Sequence, residues 1–166
     1  METATTKPIK RDPNLVPLSR EHHFGLLFGW KIKQGLAKGA SLDIMRDYVL
    51  YFWKNSLCQH FQDEEDLLLN ILPENDPLKE QFLREHALLR ELIDQVEARE
   101  QLSGLLFEAL HILITEHIRF EERQFFPHLE QHANAEQLAL IGKHLTEDHA
   151  HAEDNFQPEF WTKVKK

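Results

Sequence analysis

The sequence predicts an all-α fold, an antiparallel four-helix bundle with a short additional C-terminal helix, and three observations carry that expectation. Apolar residues recur at spacings of three and four. Glycine, proline and small polar residues cut the chain into long stretches, and no run alternates apolar with polar residues between turn pairs as a strand would. Residues 1–17 hold Pro8, Pro13 and Pro17 without periodicity and read as an extended arm. Ser19 can cap a first helix over residues 19–38, which Gly39 stops. Ser41 can cap a second over residues 41–72, ended by Pro73, and the loop at residues 73–77 leads into a third over 78–100. Ser103 and Gly104 open a fourth that Pro127 should end or kink near residue 126, and a shorter fifth covers 135–155. The ordered domain is then 18–157, with 158–166 as a tail. Core stripes are expected through Leu18, Leu26, Gly29, Ile32 and Leu36; through Val49, Trp53, Ser56, Leu67 and Ile71; through Phe82, Leu89, Ile93 and Val96; and through Leu106, Leu110, Leu113 and Gln124. Gly25 and Gly29 would let the first helix approach a neighbour closely.

Charge and composition narrow the function. A net charge of −9 and a pI near 5.6 offer no basic stripe for nucleic acid or an anionic membrane, which points to a small partner. The longest apolar run, at residues 48–53, is far too short to span a bilayer, and the first residues lack a signal-peptide core. Cys58, the single cysteine, cannot close an intramolecular disulfide, so a cytoplasmic location is expected. No nucleophile triad, phosphate loop or dinucleotide-binding glycine pattern is present.

The informative feature is what interrupts the stripes. Extending the second stripe lands on His60 and Glu64, and extending the fourth lands on His117 and Glu121. The third passes through His86, and the first through His22, or through His23 if Leu27 and Trp30 define the inner face. Residues four apart are about 40° apart around a helix, so each His-x-x-x-Glu pair can hold one metal centre from one side. The same spacing favours Glu64 over Glu65 and Glu121 over Glu122. Burying two facing carboxylates without counter-charge costs several kcal/mol, and two divalent cations bridged by Glu64 and Glu121 remove that cost. Neutral imidazoles complete a mixed nitrogen and oxygen set that suits iron, with zinc or manganese also compatible. The pattern is internally repeated: Arg20-Glu21-His22 matches Arg84-Glu85-His86, and HFQDEE from His60 matches HIRFEE from His117.

On REHH, HFQDEEDLLL, REHALLREL and HIRFEERQFFPHLE, spread over residues 18–150, the chain resembles the hemerythrin-like, or HHE cation-binding, domains. The resemblance implies a four-helix bundle holding a non-haem, oxygen-bridged di-iron centre that binds or reacts with dioxygen, nitric oxide or peroxide, or reports iron levels. Carried over by position, His22, His60, His86 and His117 are terminal ligands and Glu64 and Glu121 bridge. Oxygen-carrying members have a further histidine four residues after the helix-three ligand, where this chain has Arg90. Fewer protein donors leave more positions for water or small ligands, and Glu21 and Glu85 are candidates for extra oxygen ligands.

The other histidines, His111, His128, His132, His144, His149 and His151, read as surface or helix-end residues, with His128 the first to reconsider. Glu108-x-x-His111 is the lone Glu-x-x-His match, whereas a ferritin-like carboxylate site needs two. Cys58 lies two residues from His60 and should face away from the site. The functional expectation is a di-iron protein that binds or senses dioxygen or another small diatomic ligand. An enzyme processing peroxide or nitric oxide, an iron-handling or iron-sulfur repair protein, and a metal-free helical scaffold are the alternatives.

Overall fold

Side-chain caps at Ser41, Asp76 and Ser103 set three of the helix starts, and two π-helical turns set which residues face inward. The computed structural model describes residues 10–100, 102–148 and 154–162, and every regular element among them is helical. Residues 1–9 of the expected arm, His149, His151 and residues 163–166 of the tail lie outside these ranges, and the fifth helix, expected to reach 155, is not helical at residues 154 and 155. Helix α1 (Val16–Ala37) starts before Ser19, because Pro17 in the first turn loses no helical hydrogen bond there. Ser19 is therefore not a cap; its hydroxyl donates to Glu122 instead. Gly39, at φ 70°, ends α1 in the left-handed conformation that glycine adopts without strain.

Helix α2 (Leu42–Phe52) is capped by the Ser41 side chain, which accepts from the Ile44 amide. It runs through a π-helical turn (Trp53–Leu57) into α3 (Cys58–Leu68) and closes in a 3-10 turn (Leu69–Ile71). Together these form the single second rod expected from sequence. Asp76 caps α4 (Pro77–Ala98), accepting from the amides of Leu78 and Lys79 at 2.9 and 3.0 Å. Ser103 caps α5 (Gly104–Phe120), which passes through a second π turn (Glu121–Phe125) into α6 (Phe126–His132). Pro127 does not end this rod, since its missing N–H falls in the first turn of α6. Helix α7 (Ala135–Asp148) follows.

The π turns correct the expected stripes. Each inserts a five-residue step into a three-and-four pattern. On the second rod the core therefore moves from Phe52 to Leu57, then Phe61 and Leu68, leaving Trp53, Ser56, Leu67 and Ile71 only half-buried. On the fourth it moves from Glu121 to Phe125 and Phe126, and Gln124 is exposed. On α1 the buried line runs through Leu18, His22, Gly25, Phe28 and Ile32, while Leu26 is 40% exposed. The α4 stripe, uninterrupted, is as expected. Gly25 and Gly29 do face α5: a Cβ at Gly25 would lie 2.7 Å from Ile118 Cδ1, and one at Gly29 would lie 3.0 Å from Thr115 Oγ1.

Two apolar clusters form the interior. One gathers Phe28, Ile32, Tyr48, Phe52, Leu89, Phe107 and Ile114. The other gathers Leu18, Leu68, Phe82, Phe125, Phe126 and Leu129, covered by Leu138, Ile141 and Leu145 of α7. Residues 154–162, partly within the expected tail, pack on the first cluster, with the Phe156, Phe160 and Trp161 rings 5.2 to 5.9 Å from that of Tyr48. Gly35 makes the seat, because a Cβ there would come within 2.7 Å of Phe160 Cδ1. Gly35→Val should therefore expel Phe160 and lower stability by about 1–3 kcal/mol, the usual range for overpacking. Chemical denaturation checks this; an unchanged midpoint would show that the segment is not seated on Gly35.

Candidate metal centre

On each of the four long rods the polar break in the stripe lies between residues of the two apolar clusters. His22 falls between Leu18 and Phe28, Glu64 between Phe61 and Leu68, His86 between Phe82 and Leu89, and His117 with Glu121 between Ile114 and Phe125. Six polar side chains thus meet in the middle of an apolar interior. Glu64 and Glu121 are 0% exposed, and His22, His60, His86 and His117 are at most 6% exposed.

The two carboxylates divide their oxygens between two pairs of imidazoles. Glu64 Oε2 lies 3.0 Å from His60 Nε2 and 3.5 Å from His22 Nε2, while its Oε1 lies 3.2 Å from His86 Nε2. Glu121 Oε1 lies 2.8 Å from His22 Nε2, and its Oε2 lies 3.4 Å from His117 Nε2 and 3.9 Å from His86 Nε2. The result is two clusters, His22, His60, Glu64 and Glu121 in one and Glu64, His86, His117 and Glu121 in the other, each with its donor atoms within 4.8 Å of one another. Both oxygens of Glu64, Glu121 Oε2 and the Nε2 atoms of His86 and His117 have no hydrogen-bond partner. Buried polar atoms left without partners are costly, and a cation within each cluster would engage all of them. The donors present therefore fit a pair of divalent cations.

A second layer was not anticipated from sequence. An ionised carboxylate only accepts, so the imidazole nitrogen facing it must carry the proton. Nδ1 of His22 donates to Glu122 at 2.6 Å, that of His60 to Glu21 at 2.6 Å, that of His86 to Glu65 at 2.7 Å and that of His117 to Glu85 at 2.7 Å. In the neutral tautomer this leaves each Nε2 lone pair directed inward. Glu21 and Glu85, expected as candidate extra ligands, thus engage the outer nitrogens of His60 and His117. Arg90 replaces the histidine of oxygen carriers with a different function. Its guanidinium donates to Glu65 at 2.6 Å and so braces the partner of His86. On the opposite side Arg11, 6% exposed, donates to the backbone carbonyl of Glu122 at 2.6 Å and to its carboxylate at 3.2 Å.

Among themselves these groups compensate charge. Burial pulls the His60 pKa down, but the nearby Glu64 charge and the bond to Glu21 push it up to about 10. His117 is carried to about 9 against burial by Glu121 and Glu85, and His22 is raised against burial by Glu121, Glu122 and Glu64. Burial alone would raise Glu64, yet His60, His22 and His86 hold it well below the usual carboxylate range. Glu122, also resisting burial, is drawn to about 2 by His22, with Ser19 and Arg11 adding to the effect.

Aromatic rings close the walls. Phe61 stacks on His86 at 3.9 Å, Phe82 lies 4.0 Å from the same ring, and Phe126 stacks on His22 at 5.4 Å. The remaining described histidines lie elsewhere. His23 is exposed beside Phe24, whereas His111, read from sequence as a surface or helix-end residue, is instead buried (7% exposed) within α5, 3.1 Å from Glu108. His128 Nε2 donates to the capping carboxylate of Asp76 at 2.6 Å, His132 donates to the His128 carbonyl, and His144 is exposed. Cys58 is exposed.

A family model for the hemerythrin HHE cation-binding domain matches residues 22–129, a span that begins at His22 and takes in all six clustered residues. The chain belongs to that family. No curated protein and no solved structure gave a match. Among the described residues of this HHE domain, no helix is long and apolar enough to cross a membrane.

Proposed function

We propose that this HHE domain is a non-haem di-iron protein that binds or senses dioxygen or another small diatomic ligand. In this reading His22 and His60 would hold one ion, His86 and His117 would hold the other, and Glu64 and Glu121 would be shared by both. The observation that carries it is the division of both buried carboxylates between two imidazole pairs. The mixed nitrogen and oxygen donors suit iron over magnesium or calcium. An antiparallel four-helix arrangement belongs to the same reading. Its support is the order of the two apolar clusters along the chain, which reverses from α1 to the second rod, again at α4 and again at α5.

Bound iron would supply open coordination positions and redox chemistry for the diatomic. The chain's own residues do the rest. Glu21, Glu65, Glu85 and Glu122 fix the tautomer and aim of the four imidazoles, and Phe61, Phe82 and Phe126 keep water off the donors. Loss of such an outer partner weakens metal affinity by about 10–100-fold. Glu65→Ala and Glu122→Ala should each show a loss of that size in a chelator competition, and wild-type affinity in both would remove their orienting role.

Elemental analysis with an optical spectrum before and after air tests the whole reading. A single reversible spectral change on one ligand-binding event is expected. Repeated consumption of peroxide or nitric oxide per site would make the domain an enzyme, and metal content near zero after anaerobic loading with ferrous iron would leave only a scaffold.

A further inference from the structure

One face of the six-residue cluster opens on a space far larger than a diatomic needs. A cavity of about 190 Å³ runs from His22, His60, His117 and Glu121 into the first apolar cluster. Beyond those four polar groups its wall is mainly apolar, with Phe24, Phe52, Leu57, Ile114 and Ile118 among the lining residues, and Asn55 and Gln59 are exposed at its edge. Liquid water takes about 30 Å³ per molecule, so a dioxygen-sized ligand would occupy roughly a sixth of it, whereas an apolar protein cavity of about 150 Å³ suffices to bind benzene.

The fold makes this space by identifiable means. Gly25 contributes no side chain to the wall, and a Cβ there would already crowd Ile118 Cδ1 at 2.7 Å. The π turn at Trp53–Leu57 supplies Asn55, Ser56 and Leu57 to the lining, and irregular turns of this kind recur at functional sites. Apolar surface on most sides favours a hydrocarbon body, while the imidazole and carboxylate end favours an oxygen-bearing head.

We propose that this cavity is a subsite for a small organic molecule with a benzene-sized apolar body and one oxygen-bearing head group directed at the His/Glu cluster. The proposal rests on the metal-centre reading above for what the head group meets. It assigns the site a ligand class beyond diatomics.

The full chain, loaded with ferrous iron under anaerobic conditions, is titrated with benzene and with 2-phenyl-2-propanol by ligand-observed NMR, alongside metal analysis of the same samples. Both probes should bind, the alcohol more tightly. Ser56→Phe, which places a ring in the wall, should weaken both by about tenfold or more while metal content stays at the wild-type value. Ile118→Phe on α5 provides the same obstruction from another rod if Ser56→Phe fails to load metal. Metal loading without binding of either probe, or binding that neither variant weakens, overturns the subsite and leaves the metal centre standing. Probe binding that both variants weaken in a chain that takes up no metal supports the subsite and overturns the metal centre.

Discussion

Glu121→Ala should leave the chain unable to retain either ion. Its Oε1 faces His22 and its Oε2 faces His117 and His86, so one truncation removes a donor from both clusters. It also removes half the negative charge at the centre, since Glu64 is the other carboxylate shared by the two clusters. Glu64→Ala is expected to act the same way. His60→Ala differs in kind: its Nε2 approaches only Glu64 Oε2, within the cluster of His22, so one ion should be lost and the other kept. His144→Ala, at an exposed position on α7, should retain full metal content. Elemental analysis after dialysis separates the outcomes as none, one and two ions per chain. Equal content in Glu121→Ala, His60→Ala and His144→Ala would dismiss the assignment. Glu121→Gln adds a discriminating case, because it keeps an oxygen donor and shape but loses the charge; metal loss there would identify charge neutralisation as what the site requires.

The six inner residues were legible in the sequence because each sits where α-helical spacing is locally intact. His60 and Glu64 both follow the first π turn, and His117 precedes the second, which begins at Glu121 itself. The four-residue step within each pair therefore survives, although the stripe on either side is displaced. Trp53, Ser56 and Gln124 were placed in the core by extrapolating across those turns, and no residue pattern in either segment announces an inserted five-residue step. The choice of His22 over His23 likewise needed the α1 face to be known, and Gly25 and Phe28, not Leu26, define it. The role of the outer carboxylates toward the imidazoles was invisible for a different reason. Every bond that they accept from one of the four imidazoles joins different rods, at sequence separations from 21 to 100 residues. Their signal was nonetheless present as adjacency. Glu21 precedes His22, Glu85 precedes His86, Glu65 follows Glu64 and Glu122 follows Glu121. Neighbouring residues are about 100° apart around a helix, so a rod that aims one group inward aims its neighbour at the next rod. Glu21 thereby reaches His60, Glu65 reaches His86, Glu85 reaches His117, and Glu122 returns to His22, closing a ring of four orienting contacts.

Metal removal should expose a pH dependence that the loaded domain lacks. Without a cation, Glu64 is neutralised by protons held on the imidazoles, which is why His60 and His117 titrate near 10 and 9 and His22 is raised as well. In the unfolded chain the same histidines titrate near 6.5. A group whose folded pKa is raised stabilises fully below its unfolded value and loses that contribution as pH rises through the folded one. The stability of the metal-free chain should therefore decline between about pH 6.5 and 10, as Glu64 is left buried beside neutral imidazoles. With cations bound, the counter-charge no longer depends on protons, and the melting temperature should be nearly flat over that interval. Loading must also displace the protons, so uptake at pH 7 should release them and affinity should rise with pH up to about 9–10. Thermal melts of both forms from pH 6.5 to 10 test the first part, and calorimetry in buffers of different ionisation enthalpy tests the second. Parallel melting curves for the two forms, or uptake without proton release, would mean that the imidazoles do not stand in for the cations, and the charge balance inferred for the interior would fail with them.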